Sequence, residues 1–296
     1  MSSRTTAAPA AAAAVRVTTT ETTVRTDDGA ELAVTVLGPL TAPSGVTVVL
    51  SHGWAARRRV WGTVADRLIR VGHRVVLYDQ RGHGASGLGR EPISIGRLGA
   101  DFAAVLNEAD VGKVGSTLAV GHSGGGFAVL AYAAADPRDA AVRLRGLVLL
   151  GTAAHDQDTP DSEVRMMGST LFSRALSQPA LGRRLLRRTM GKRPDPASME
   201  VNRQMFAATS PRVRADCFLS SRGMDLRAEL AMVEVPAVVL TGDRDRVILP
   251  DLGGTVAEAL PNARFERLPG TGHMLPLEAP DAVVLAVAEL AERPHR

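Results

Sequence analysis

The sequence predicts an α/β fold built on an open, mostly parallel, doubly wound sheet, and three observations carry that prediction. Short, continuous apolar runs recur along the chain, as parallel strands buried on both faces require. Stretches with helical spacing lie between most of them, in the places where crossover helices belong. One gap between runs is far longer than a single crossover helix needs, which marks a helical insertion over the sheet.

Taken in order, residues 1–22 read as a disordered Ala/Thr-rich tail, too poor in Leu, Ile and Phe for the apolar region of an export signal. "ELAVTVLG" after the turn-forming "TDDGA" predicts an early hairpin strand. Buried strands follow at "VTVVLS" (46–51), "RVVLYD" (74–79), "TLAVG" (117–121), "GLVLLG" (146–151) and "AVVLTG" (237–242), and a last one at "RFERLP" (264–269). Helical spacing covers 97–109 and 126–135, and "DAVVLAVAELAER" closes the chain as an amphipathic helix with Val283, Val284 and Val287 on one side. Residues 153–233 are expected to form a helical cap over a core made of 23–152 and 234–296. Within the cap, "ALGRRLLRRTMGKRP" reads as one amphipathic helix with Arg183, Arg184, Arg187 and Arg188 opposite Leu181, Leu185 and Leu186. "STLFSRAL" puts Leu171, Phe172, Ala175 and Leu176 on a core-facing side, with Met166 and Met167 just before.

Composition narrows the function classes. Hydrophobic residues make up 45% and charged residues 22%, and no run of about 18 apolar residues exists to cross a bilayer. A net charge of +4 without a long basic run, and 3% aromatics, give no nucleic-acid partner. The single cysteine, Cys217, cannot form an internal disulfide and is expected to be a small buried hydrophobe in a cytoplasmic protein.

Residues 121–125, Gly-His-Ser-Gly-Gly, match G-x-S-x-G where a strand candidate meets a helix candidate. Alone the match is weak; the strand-turn-helix setting makes it informative. A nucleophile raised above a sheet needs a sharp turn, and side chains two positions either side of it would block close approach, so Gly121 and Gly125 fit. Glycine in a helix interior costs about 1 kcal/mol relative to alanine, which makes the run Gly124, Gly125, Gly126 unfavourable unless packing or backbone access requires it. The amide of Gly124, at the positive end of a helix dipole, is placed to face a substrate oxygen. A phosphate cradle lacks support, because neither the P-loop Lys nor G-x-G-x-x-G spacing is present. A serine needs a base and the base an orienting acid. Downstream, Asp243 and Asp245 follow one strand candidate and His273 the next, so all three loops reach the same rim of a parallel sheet.

With these residues in place, the chain resembles the α/β-hydrolase-fold superfamily, as a serine esterase or lipase-like member with a helical cap, over roughly residues 25–292. The resemblance implies a sheet of about eight strands. "LSHGW" (50–54) resembles the family's oxyanion loop, which implies that the backbone N–H of Trp54 joins that of Gly124, with His52, Gly53, Gly121, His122 and Gly125 as support. "YDQRGHGASG" (78–87) resembles a structural stretch of the family. Gly242 and Asp245 match its G-x-x-D pattern, which implies Asp245 as the acid, Asp243 being the alternative. The implied activity is hydrolysis of small to medium-chain carboxylic esters by Ser123, His273 and Asp245 through an acyl-enzyme, with no cofactor. No metal site is indicated, since neither H-x-x-x-H nor a Cys/His cluster appears. Perhydrolase or haloperoxidase-like, thioesterase and lactonase activities use the same groups, and a non-catalytic ligand-binding protein is the alternative of another class. His73, His155 and His295 are expected at the surface. The implied partner is a small-molecule ester, and the basic cap helix adds weak contact with anionic membrane surfaces.

Overall fold

A computed structural model describes residues 17–39, 45–108 and 115–293. Eight strands form one sheet: β1 (Val17–Arg25), β2 (Glu31–Pro39), β3 (Thr47–Ser51), β4 (Arg74–Tyr78), β5 (Thr117–His122), β6 (Leu144–Leu150), β7 (Ala237–Gly242) and β8 (Ala263–Leu268). Their spatial order is β1-β2-β4-β3-β5-β6-β7-β8, with β2 antiparallel to β1 and β4 and every other pairing parallel. The central strands are apolar through their middles because both faces are buried there. Val49, Val76, Ala119, Leu147 and Val239 point into one core, and Val48, Val75, Leu118, Val148 and Val238 into the other.

Helices cover both faces. α1 (Gly62–Arg70) packs on one side; α2 (Ile95–Glu108) and α3 (Gly124–Ala135) pack on the other, and the short α4 (Pro137–Arg143) leads from α3 to β6. α3 is buried on every side from Gly124 to Ala134, so it carries no amphipathic stripe. After β6 come α5 (Asp161–Met167), α6 (Thr170–Ser177), α7 (Pro179–Leu185), α8 (Pro196–Ala208), α9 (Pro211–Ser220) and the one-turn α10 (Arg227–Leu230). α11 (Pro250–Ala259) follows β7; α12 (Leu275–Glu278) and α13 (Pro280–Glu292) end the described chain. The insertion leaves and re-enters the core through paired segments, with Asp156 N–H donating to the carbonyl of Met224 (2.7 Å) and Leu226 N–H to that of Ala154 (2.8 Å). Leu230 and Val233 are buried in the same core as residues of α2 and α3.

Arg214, fully buried, ties the cap together. Its guanidinium donates to the carbonyls of Met167, Phe206 and Thr209 and to Ser173 Oγ, and lies between the rings of Phe172 and Phe206.

Four expectations change. Residues 17–22 are not tail but the first part of β1, where a run of β-branched Thr suits an exposed edge strand hydrogen-bonded to β2; residues 1–16 lie outside the described residues. The arginine-rich helix breaks after Leu185 into a 3₁₀ turn, Leu186–Thr189, because Arg187 turns back onto the carbonyls of Met190, Gly191 and Lys192. His73 is buried, its Nδ1 accepting from Val46 N–H at 3.2 Å, and Leu171 is 73% exposed rather than core-facing. His155 is half-buried, and His295 lies outside the described residues.

Arg81 is fully buried between two carboxylates, bonding Asp28 at 2.9 and 3.1 Å and Asp101 at 2.6 Å twice. The guanidinium holds the Asp28 carboxyl well below the usual range, whereas burial outweighs it at Asp101 and raises that group. Removing one side of a buried ion cluster strands the other, so Arg81→Met is expected to lower unfolding free energy by about 3–5 kcal/mol in urea titration. A loss below about 1 kcal/mol would contradict this role.

Candidate active site

Ser123 sits at the turn from β5 into α3 with φ +54° and ψ −122°. A residue with a Cβ in this region costs on the order of 1–3 kcal/mol, so the surroundings must hold it. Ser123 N–H donates to Leu150 O at 2.9 Å, and Thr152 Oγ1 donates to Ser123 O at 3.0 Å. The flanking glycines permit the approach. A Cβ at Gly121 would lie 2.6 Å from Gly126 Cα, and one at Gly125 would collide with the carbonyls of Ser51 and His52.

The loops after β7 and β8 arrive at the same rim. His273 Nε2 lies 3.0 Å from Ser123 Oγ, and His273 Nδ1 lies 2.8 Å from Asp245 Oδ2. The other oxygen of Asp245 accepts from the amides of Val247 (2.8 Å) and Ile248 (3.0 Å), which fixes the carboxylate. All three side chains are buried. Asp243 does not take part; it accepts from Gly270 N–H at 2.7 Å. The chain hydroxyl–imidazole–carboxylate can move the serine proton to Nε2 and stabilise the resulting imidazolium.

The loop after β3, residues 52–55, is braced by buried histidines. His52 donates from Nδ1 to Gly53 O (2.7 Å) and accepts at Nε2 from Gln80 N–H (3.0 Å). His83 donates from Nδ1 to Arg81 O (3.0 Å) and accepts at Nε2 from Ala55 N–H (3.1 Å). Ala55, next to Trp54, has φ +57°, so His83 holds a strained residue. His122 donates from Nε2 to His273 O at 2.8 Å, and its Nδ1 is buried without a partner. Burial keeps all three neutral: it lowers His52, takes His83 down to about 3, and, with His273 nearby, takes His122 well below the ordinary range. The Trp54 indole lies edge-on to Phe127 and so close to Gly124 that a Cβ there would collide with it.

Above these groups is a cavity of about 290 Å³. Met166, Met167, Phe172, Phe206, Phe218 and Ile248 supply apolar wall; Thr189 and Asn202 supply the buried polar part, with Asn202 Nδ2 donating to Thr189 Oγ1 at 2.8 Å. Sequence patterning gave no signal for Asn202, Phe206, Phe218 or Thr189, because only the folded cap brings them to this cavity. Among the described residues no group of three or more His, Cys, Asp or Glu side chains could hold a metal ion, and no helix is long and apolar enough to cross a membrane.

Residues 42–280 match the family model described as serine aminopeptidase, S33. The chain is similar to a bifunctional esterase/perhydrolase of Acinetobacter calcoaceticus, 26% identical over 266 residues that cover 86% of this chain and 93% of the relative. It is also similar to a pimeloyl-[acyl-carrier protein] methyl ester esterase of Chromobacterium violaceum, 28% identical over 262 residues, 85% of this chain and 96% of the relative. A thermophilic esterase from Thermogutta terrifontis superposes with TM-score 0.73 at 26% identity, covering 91% of this chain and 97% of that one.

The neutral histidines carry a pH consequence. Their folded-state pKa values lie below the unfolded value of about 6.5, so the unfolded chain binds more protons as pH falls. Their contribution is full above pH about 6.5 and is lost below it, with a limiting slope of about 1.4 kcal/mol per pH unit for each histidine. Urea unfolding from pH 7 to pH 4 is expected to show stability falling more steeply in the wild type than in His83→Gln. Equal slopes would contradict it.

Proposed function

The chain belongs to the serine aminopeptidase S33 family of the α/β-hydrolase fold, and from that premise we propose that it hydrolyses carboxylic esters through an acyl-enzyme on Ser123. The observation that carries the reading is the unbroken line Ser123 Oγ, His273, Asp245, at 3.0 and 2.8 Å. His273 takes the hydroxyl proton as Oγ attacks the ester carbon, then returns it to the departing alkoxide. Asp245, anchored by two amides, keeps the proton of the neutral ring on Nδ1 and faces the imidazolium. The amides of Gly124 and Trp54 receive the developing oxyanion; a donor of this kind contributes about 3 kcal/mol to the barrier. Water then attacks the acyl-enzyme, again through His273.

A cavity of about 290 Å³ lies at the small end of ligand pockets, which supports small to medium acyl chains over large substrates. Small-molecule esters are the substrates. Perhydrolysis is the second reading, because a similar protein is named an esterase/perhydrolase: hydrogen peroxide replaces water in attack on the acyl-enzyme and a peracid leaves. Thioesters and lactones suit the same nucleophile. A non-catalytic, ligand-binding role loses support from the pocket opening directly onto a hydrogen-bonded Ser123.

Membrane contact through the cap is at most weak. Arg183 pairs with Glu200 and Arg188 with Glu163, and Arg187 binds backbone carbonyls, so within this segment exposed Leu181, Leu185 and Arg184 are what remains to meet an anionic surface. A cytoplasmic location is supported by the one thiol, Cys217, being buried and unpaired.

Ser123→Ala is expected to lose at least about 10³-fold in kcat on short p-nitrophenyl esters and all labelling by a fluorophosphonate probe. Asp245→Asn should keep the fold and lose about 10²–10⁴-fold in kcat, whereas Asp243→Asn stays within about threefold. Across a panel of esters, thioesters, lactones and amides, kcat/KM should be highest for small to medium acyl esters. Turnover that survives Ser123→Ala would contradict the nucleophile, and peracid formation exceeding ester hydrolysis at equal co-substrate would make the second reading the principal one.

A further inference from the structure

One more carboxylate, partly buried, lies beside the site, outside the groups used above. Glu278 closes α12, and its oxygens reach three backbone amides. Oε2 accepts from Gly191 N–H at 2.6 Å and from Gly272 N–H at 3.3 Å, and Oε1 accepts from Met274 N–H at 3.2 Å. Gly272 and Met274 flank His273 in the chain, whereas Gly191 belongs to the cap. A carboxylate serving only α12 would bond that helix's own first turn; two of these three donors lie outside it.

The same two segments are joined elsewhere. His273 N–H donates to Thr189 O at 2.9 Å, and Lys192 N–H donates to Gly270 O at 2.8 Å. They pack so closely that a Cβ on Gly272 would collide with the backbone of Met190 and Gly191. The cap segment 189–192 and the loop 270–274 therefore form one hydrogen-bonded unit with Glu278 inside it. Burial raises the Glu278 pKa while the three amides oppose that rise.

We propose that Glu278 is a positioning residue for the reaction, clamping the His273 loop to the Thr189–Lys192 cap segment so that the imidazole stays in line between Ser123 and Asp245. This rests on the reading of Ser123 as nucleophile and goes beyond it. Glu278 bonds the residues on either side of His273, so its loss frees the loop to shift, and a shift of about 1 Å at a catalytic group costs on the order of 10²-fold in rate. The clamp also links pocket to base, since Thr189 and its partner Asn202 line the cavity.

The test compares Glu278→Gln and Glu278→Ala with wild type and Ser123→Ala, reading kcat and KM on a short p-nitrophenyl ester, the rate of fluorophosphonate labelling, and melting temperature. In Glu278→Gln one acceptor oxygen survives and kcat is expected to fall about 5–10-fold; in Glu278→Ala it falls about 30–100-fold. In both, KM stays within twofold and labelling slows in parallel with kcat, at temperatures well below melting. If Glu278→Ala does not fold, Glu278→Gln decides. Folded variants with kcat and labelling within twofold of wild type, or with loss confined to KM, overturn the proposal. Ser123→Ala that is inert and unlabelled beside unaffected Glu278 variants overturns this inference alone; Ser123→Ala that still turns over overturns the nucleophile reading itself.

Discussion

Holding Ser123 at φ +54° above the sheet is the constraint from which the rest of the site follows. A strained turn persists only where its neighbours leave it no alternative. Gly121 and Gly125 let strand, helix and the β3 loop close on it, and Thr152 and Leu150 hold its carbonyl and amide. The helix that begins there is buried on all sides, so α3 cannot swing to relieve the turn without opening the core. Stability in the sheet is thereby converted into a hydroxyl at a fixed height and direction.

The groups around that hydroxyl are arranged by protonation state as much as by distance. Three histidines, at 52, 83 and 122, are kept neutral by burial, and each uses one nitrogen to donate to a carbonyl. His52 and His83 use the other nitrogen to accept a backbone amide, a role that a protonated ring cannot fill. His273, unlike these three, joins a hydroxyl on one side to a carboxylate on the other. Site and scaffold thus share a residue type but divide the work by environment.

Much of this was legible in the sequence where burial on both faces leaves a strong signature. The central strands and the order Ser, Asp, His along the chain could be read because apolar runs and loop ends have few interpretations. The first strand was not, since "VTTTETT" has few apolar side chains and is held by pairing with β2 rather than by a core. The broken arginine helix and buried His73 depended on partners distant in sequence, the carbonyls after Thr189 and the amide of Val46. Residue types alone left Asp243 open beside Asp245, and only the folded loops separate them, with Asp245 against His273 and Asp243 turned to the amide of Gly270. Cap residues such as Asn202 and Phe206 have ordinary helical sequence and gain meaning only where α5 to α9 converge over the serine.

In the proposed mechanism the hydroxyl of Ser123 and the amides of Gly124 and Trp54 act on one substrate carbonyl. A crystal structure of the wild-type protein after reaction with an alkyl phosphonate tests this most directly, because the tetrahedral adduct mimics the acyl-transfer intermediate. The account predicts phosphorus bonded to Ser123 Oγ, the phosphoryl oxygen within hydrogen-bonding distance of both the Gly124 and Trp54 amides, and the alkyl chain in the pocket lined by Phe172 and Phe206. Phosphorus on another residue, or a phosphoryl oxygen turned away from both amides, would contradict it.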